Sequence, residues 1–411
     1  MRNDLVANID SRFIETGWVK SACTNCGTDF YAKSPSRTCG NEQCGENIKE
    51  WSTAHNNVAI SIEKLADKIN SYFLNSNYTI KNPIHMLHWR KWDNTKRIDR
   101  SIFAMAGVQA LDNILFDEAA IIGGKLEKVY VAQPSVRLNT PKDAVAKVYG
   151  FYSSFLNVST VSVNPSVEAY SSELFLWADL FERSLGIKGL KITVSDSRTN
   201  WDGRESPMVR FYFRYNGIEL GDANYIYDFP QKNRDSLVVG DMGFGLERIC
   251  CIINQAGQDF DVIGPYSESL RGNKKMVDKI RALTLLVGSN IFPGDTPYGT
   301  KIRSMVRDLI EIDGDSLRWF NLVPHFYAFW SNFTKLELSP VKIRAVIRDE
   351  IYRQYNKEIA DSLKIDSPVS DLTLPPHEFI ENCMRGAYKG EIKIDSANEA
   401  IMKVFRSHDT K

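Results

Sequence analysis

Gly240-Asp241-Met242-Gly243-Phe244-Gly245-Leu246-Glu247-Arg248-Ile249 is the stretch that decides how this chain folds. The apolar run Ser236–Gly240 before it predicts a strand. The glycines read as a tight turn, and Leu246–Gln255 reads as an apolar helix. A strand, a glycine-rich turn and a helix opening with Glu247 and Arg248 is a pattern suited to a flat, charged ligand. Glycine lets backbone approach such a ligand closely. An arginine at the helix start offers a planar, permanently charged fork to a polyphosphate.

The chain on either side supports an α+β reading. Upstream, Leu190–Val194 and Val209–Tyr215 read as strands. Asn216-Gly217 is a strong hairpin signal, and Ile218–Tyr227 is the returning strand. Earlier strand-like runs are Ser101–Met105, Val129–Ala132 and Phe151–Val163. Helical spacing marks Val58–Phe73 and Ser171–Leu185, with Gly186 as its stop, and residues 8–22 read as a short helix and a turn. Beyond about residue 270 the pattern is helical: Met276–Leu286, Thr300–Ile312, Leu317–Trp330 and Val341–Ile359. Strands followed by a run of helices give an antiparallel sheet with flanking helices and then a helical domain. The expected divisions are 1–55, an N-terminal segment with a cysteine module; 56–265, a catalytic domain; and 266–411, a helical domain.

Composition narrows the class. The chain has 411 residues, 43% of them hydrophobic, enough for two or three cores. Lys plus Arg equals Asp plus Glu at 51 each, so the net charge neither requires nor forbids a nucleic-acid partner. No apolar run approaches the roughly 20 residues that span a bilayer. The start Met1-Arg2-Asn3-Asp4 lacks an apolar signal core, so a soluble, cytoplasmic enzyme with no membrane partner is expected.

Seven cysteines fit a reducing compartment with one metal cluster better than a disulfide framework. Cys23-x2-Cys26 and Cys39-x4-Cys44 lie twelve residues apart, and glycine follows Cys26, Cys39 and Cys44. Two close thiolate pairs at that separation suit one tetrahedral Zn2+, structural because all four ligands come from protein. The other reading is four buried cysteines without a metal.

Taken with the strand pattern, the 240–249 stretch resembles motif 3 of class II aminoacyl-tRNA synthetases, and most closely its alanyl version. The resemblance continues in order over roughly residues 12–310. Glu15–Lys20 with the cysteine module, including Arg37-Thr38-Cys39-Gly40, is similar to the opening of archaeal-type alanyl-tRNA synthetases. Ala132–Leu138 resembles the start of motif 2, and Trp201-Asp202-Gly203 resembles the turn beside the substrate amino acid. Asn290–Asp295 and Ile302–Arg307 resemble the helical tRNA-recognition domain.

That resemblance implies the class II fold and its chemistry. Arg137 would lie on the α-phosphate and the substrate carboxylate. Arg248 would hold the outer phosphates of ATP, with Mg2+ bridging them. Gly243, Gly245 and Glu247 would complete the ATP site, Glu247 by binding metal or by pairing with an arginine. Asp241 would take the amino acid's ammonium, and Trp201 would wall its pocket. Asp295, Arg303 and Arg307 would face tRNA, although Asp308 and Glu311 close by also suit a solvated helix face.

Several positions depart from the family. The Arg-His pair and Phe-Glu-Met of motif 2 give way to Gly150-Phe151 and Phe155-Leu156-Asn157, leaving Lys142 or Lys147 as substitute charges. Asp222 and Asn224 share one face of a strand that is largely apolar in the family, so either a polar or larger amino acid replaces alanine or that face meets solvent. Asp295 stands in place of an asparagine, and Ser370-Asp371 is the nearest match to the later aspartate of that pair. With the end near 411 and no His-x3-His, no editing domain is expected. Three functions stay open: a truncated synthetase charging a tRNA, an adenylate-forming ligase serving a carrier protein or small molecule, and a non-catalytic binding protein. A monomer or a homodimer fits each.

Overall fold

The structure, a computed structural model, describes residues 2–45, 60–87, 103–111, 115, 128–138, 149–201, 204–229, 236–256, 259–264, 273–313, 317–362 and 371–389. They divide into two compact units, Met1–Pro265 and Tyr266–Lys411.

The first unit contains α1 (Arg2–Glu15), β1 (Val19–Ala22), β2 (Asp29–Ala32), α2 (Ile62–Asn75), β3 (Thr79–Lys81), β4 (Lys128–Val136), β5 (Ser154–Val163), α3 (Val167–Asp179), β6 (Lys191–Trp201), β7 (Arg204–Tyr215), β8 (Ile218–Phe229), β9 (Leu237–Gly245) and α4 (Leu246–Asn254). A short 3-10 turn spans Gly107–Leu111. The second unit is helical: α5 (Lys274–Gly288), α6 (Pro297–Asp313), α7 (Leu322–Ser331), α8 (Pro340–Ser362) and α9 (Pro376–Tyr388). No helix among the described residues is long and apolar enough to cross a membrane.

The nine strands form one sheet in the order β1-β2-β6-β7-β8-β9-β5-β4-β3. Every neighbouring pair is antiparallel except β3 with β4. The segment expected to stand apart, 1–55, therefore contributes its two strands to the edge of this same sheet. Asn216 and Gly217 both take positive φ, 46° and 79°, between the paired residues Tyr215 and Ile218. That is the two-residue turn whose twist suits a hairpin. Serine caps start two helices: the Ser61 hydroxyl accepts from the Lys64 amide and Ser166 from Ala169.

Alternation along the strands separates two faces. On the back face, Phe211 and Phe213 of β7, Phe244 of β9 and Tyr130 of β4 meet α3 and α2. Trp177 lies 4.3 Å from the Phe244 ring, and Phe73 stacks on Tyr130 at 5.0 Å. Trp177 Nε1 donates to the Thr160 hydroxyl at 2.7 Å, which satisfies the indole inside the core. Each such side chain contributes about 1.5–3 kcal/mol by leaving water.

The front face is divided along its length. One half is apolar: Val129, Val161, Met208, Ile226 and Val239, covered by Val108, Leu111 and Leu115. Gly107 permits that cover, because a Cβ there would lie 2.5 Å from Ser159 and 2.9 Å from Val131. The other half, from the row Arg210–Asn224–Asp241 onward, is polar.

Local expectations are corrected at several places. The stretch Gly240–Gly245 is no turn: β9 runs through it, hydrogen-bonded to β5 on one side and β8 on the other. Two neighbouring strands supply what glycine's weak strand propensity does not. Of the strand expected at Ser101–Met105, the described part holds only a bridge between Phe103 and Leu87. The helix expected over 8–22 occupies Arg2–Glu15, and β1 follows it. The helix at Ser171–Leu185 starts earlier, at Val167, and closes in a π-type turn over Leu180–Ser184. Leu317–Asn321 is 3-10, so α7 begins at Leu322.

Candidate active site

The polar half of the front face collects most of the residues singled out for ATP and the amino acid. Asn224 of β8 pairs directly with Asp241 of β9, and Arg210 of β7 pairs with Asn224. One step along, Tyr212, Asp222 and Gly243 form the next row. With Asn157 and Ser159 of β5 beside them, these side chains make a polar floor.

Hydrogen bonds hold the floor in place. Arg210 Nε donates to Asn224 Oδ1 at 2.9 Å and lies 3.3 Å from Asp222 Oδ2. Arg210 Nη1 donates to the Tyr212 hydroxyl at 2.9 Å, and Asn224 Nδ2 donates to Asp222 Oδ2 at 3.3 Å. Asn224 is buried and Asp222 half-buried, so this face of the strand is only partly open to solvent. Burial, and then the nearby Asp222, push the Asp241 carboxyl up to about 7, against the pull of Arg210, Arg137 and a hydrogen bond from Asn224.

Two more arginines border the same floor. Arg137 follows β4 directly, its guanidinium 5.0 Å from the Phe155 ring centre, within the field of Asp222, Asp241 and Glu219. Arg248 opens α4; its Nε donates to the Gly150 carbonyl at 3.3 Å and Nη1 to the Glu219 carbonyl. Gly150 has φ +66° and lies so near Arg248 that a Cβ would meet its Cγ at 2.9 Å. Arg137 and Arg248 also feel each other's charge. Gly243, between them and Asp241, puts no side chain on the floor, and Gly245 stands next to Arg248.

Glu247 anchors the backbone of the neighbouring strand. It is fully buried, and the Leu156 amide donates to both its carboxylate oxygens at 3.0 Å. The last ladder pair between β5 and β9 is Asn157 with Gly245. The Leu156 amide lies just beyond it, and Glu247 supplies the acceptor. Its carboxylate thus ties α4 to the backbone of β5.

Trp201 ends β6 opposite Arg204. Its side chain, Asp202, Gly203, Lys142, Lys147 and Ser370 lie outside the described residues. Arg210, Tyr212 and Glu219 were not singled out as site residues, although alternation in Val209–Tyr215 already puts Arg210 and Tyr212 on one face.

The four module cysteines converge: their sulfurs all lie within 4.8 Å of one another, with Cys26–Cys39 and Cys39–Cys44 at 3.8 Å. A tetrahedron with zinc–sulfur bonds of about 2.3 Å has edges of about 3.8 Å, so the donor set fits zinc. Against the desolvation that raises it, backbone amides of Asn25, Cys26 and Cys39 hold the Cys23 thiol down at about 6. Hydrogen bonding to Cys26, then burial, pushes Cys44 up to about 12.

In the second unit, Arg303 pairs with Asp295 and has its Nε 3.7 Å from Glu350, which also holds Arg353 at 2.6 Å. Asp295 is 97% exposed, and Arg307 is exposed. Arg303 is thus largely neutralised by carboxylates.

No protein-family model matches the chain. It is 25% identical over 281 residues to the alanine–tRNA ligase of Methanobrevibacter smithii, covering 66% of this chain and 29% of that protein. It is 24% identical over 263 residues to the alanine–tRNA ligase of Methanothermobacter thermautotrophicus, covering 62% and 28%. The chain therefore spans less than a third of the length of these curated relatives. Among solved structures it is similar to pyrrolysyl-tRNA synthetase from Desulfitobacterium hafniense, with TM-score 0.36, 10% identity, and coverage of 50% of this chain and 74% of that one. The alanine–tRNA ligase matches support a distant relationship to class II aminoacyl-tRNA synthetases.

Proposed function

We propose that this protein activates an amino acid with ATP and Mg2+ as an aminoacyl-adenylate and passes it to a tRNA. One observation carries it: Arg137, Arg248 and Asp241 converge on one face of the sheet, around a floor kept open by Gly243. Similarity to the alanine–tRNA ligases supports the same reading.

The substrate's carboxylate oxygen attacks the α-phosphorus. The bond to the bridging oxygen breaks, and pyrophosphate leaves with the electron pair. The protein stabilises charge and holds geometry. Asp241, ionised, would bind the ammonium. Arg137 would bridge the carboxylate and the α-phosphate, and Arg248 would hold the departing phosphates. Glu219 would hold the magnesium ion there: its carboxylate is exposed, and its carbonyl accepts from Arg248, the arginine assigned to the outer phosphates. Bound with ATP, that ion would neutralise phosphate charge.

The acceptor has a second reading. Asp295 and Glu350 occupy Arg303, which weakens one expected tRNA contact and favours transfer to a carrier protein or small molecule.

Pyrophosphate release with each amino acid, with and without total tRNA, tests the proposal. Release with one amino acid is expected, reduced at least about a hundredfold by Arg248→Ala and by Asp241→Ala. Absence of release from folded protein under every condition would leave a binding protein on this fold.

A further inference from the structure

The amino-acid end of the site carries more charge than an alanine side chain could use. Arg210 and Asp222 face each other across neighbouring strands, and Asn224 locks them by bonding to both. Both lie next to Asp241, where the ammonium would sit. Each is only partly covered, with side-chain exposures of 28% and 33%.

Among the described residues, the terminal nitrogens of Arg210 meet the Tyr212 hydroxyl and the Met208 sulfur, the latter at 3.9 Å. A guanidinium has five N–H donors, so Nη2 keeps donor capacity. Among the described residues both bonds to Asp222 go to Oδ2, which leaves acceptor capacity on Oδ1. The wall thus offers one strong donor and one strong acceptor, with their charges cancelling.

Each class of substrate side chain meets this wall differently. A methyl group would cover both polar groups without replacing their water, leaving each desolvated and unpaired. A carboxylate would gain Arg210 but face Asp222 and Asp241. An ammonium would gain Asp222 but face Arg210 and Arg137. A primary carboxamide is neutral, accepts through oxygen and donates through nitrogen, matching both groups at once. We propose that the activated amino acid carries a carboxamide side chain, asparagine or glutamine, read by Arg210 and Asp222. Asn224 is the positioning residue that fixes the pair. This rests on the adenylation reading.

ATP–pyrophosphate exchange across the twenty amino acids, with total tRNA present, is the test. Asparagine or glutamine should exceed alanine, aspartate, glutamate and lysine in kcat/KM by at least about a hundredfold. Asp222→Asn should weaken the amide substrate and raise the matching acid relative to it about tenfold or more, because the repelling carboxylate is gone. Exchange led by any other amino acid overturns the carboxamide proposal and leaves adenylation standing. No exchange at all overturns adenylation, and the proposal with it. Thermal shift of the unmodified protein with aminoacyl-sulfamoyl adenosines serves if the variant misfolds. Stabilisation by the asparaginyl or glutaminyl analogue above the alanyl and aspartyl ones supports the proposal; equal shifts, or none, overturn it.

Discussion

Asp241 is the residue on which the site's electrostatics depend. Its carboxyl is raised from 3.8 to about 7, by burial first and Asp222 second. The folded protein therefore keeps this proton at pH values where the unfolded chain has lost it. Asp241 should thus lower stability as pH rises from about 4 to about 7, with no further change above. Asp241→Asn cannot ionise. Its melting temperature should match the unaltered protein near pH 4 and exceed it by several degrees at pH 8. An ammonium needs the ionised form, so KM for the amino acid should fall as pH rises through about 7. Melting curves for the two proteins that stay parallel across that range would show that Asp241 is already ionised and held by its arginines. Arg137 and Asp241 could be proposed from the sequence because the resemblance fixes their order along the chain. Arg210 was not, since an arginine on an alternating strand looks the same whether it faces water or a pocket.

At the scale of elements, Glu247 joins α4 to β5. Glu247→Ala would leave the Leu156 amide buried without its acceptor, a loss of about 2–3 kcal/mol in urea unfolding, whereas Glu247→Gln keeps one acceptor and should lose less than about 1.5 kcal/mol. A nucleotide contact would behave the other way, with stability kept and KM for ATP raised. The same region shows why some elements could be read and others not. The Asn216-Gly217 hairpin was legible because its turn is decided by two residues that tolerate positive φ. β9 was not. Gly240, Gly243 and Gly245 look like a turn locally, yet each meets a tertiary demand. Gly240 makes room for Tyr170 on the back face, and Gly243 and Gly245 leave the front floor bare. Strand β3 was also missed, since three residues paired in parallel with β4 leave little periodicity to read.

Across the first unit, the cysteine module sits at the opposite end of the strand order from β3, yet a short chain of contacts runs from it to the site. β2 holds β6 through Phe30–Thr193, Tyr31–Ile192 and Ala32–Lys191. Gly40 lies against Lys191 and Arg214, where a Cβ would stand 3.1 Å from each. Arg214 donates to the Thr193 hydroxyl at 2.7 Å and reaches Glu219 at 3.3 Å, and the Glu219 carbonyl accepts from Arg248. Metal analysis should find about one zinc per chain, since four converged cysteines form a closed site. Chelation should then expose amides of residues 19–45 to hydrogen exchange first, because the module's core of Cys23, Phe30, Ala32, Cys39 and Cys44 is small. The back-face core around Trp177 and Phe244 should stay protected. Slackening at Arg214 and Glu219 should raise KM for ATP more than KM for the amino acid, because Glu219 adjoins the arginine assigned to the outer phosphates. Equal protection before and after chelation would mean that the cysteines hold no metal. Loss of protection in β9 together with β2 would mean that the module is part of the cooperative core, and the separate effect on ATP would not be seen.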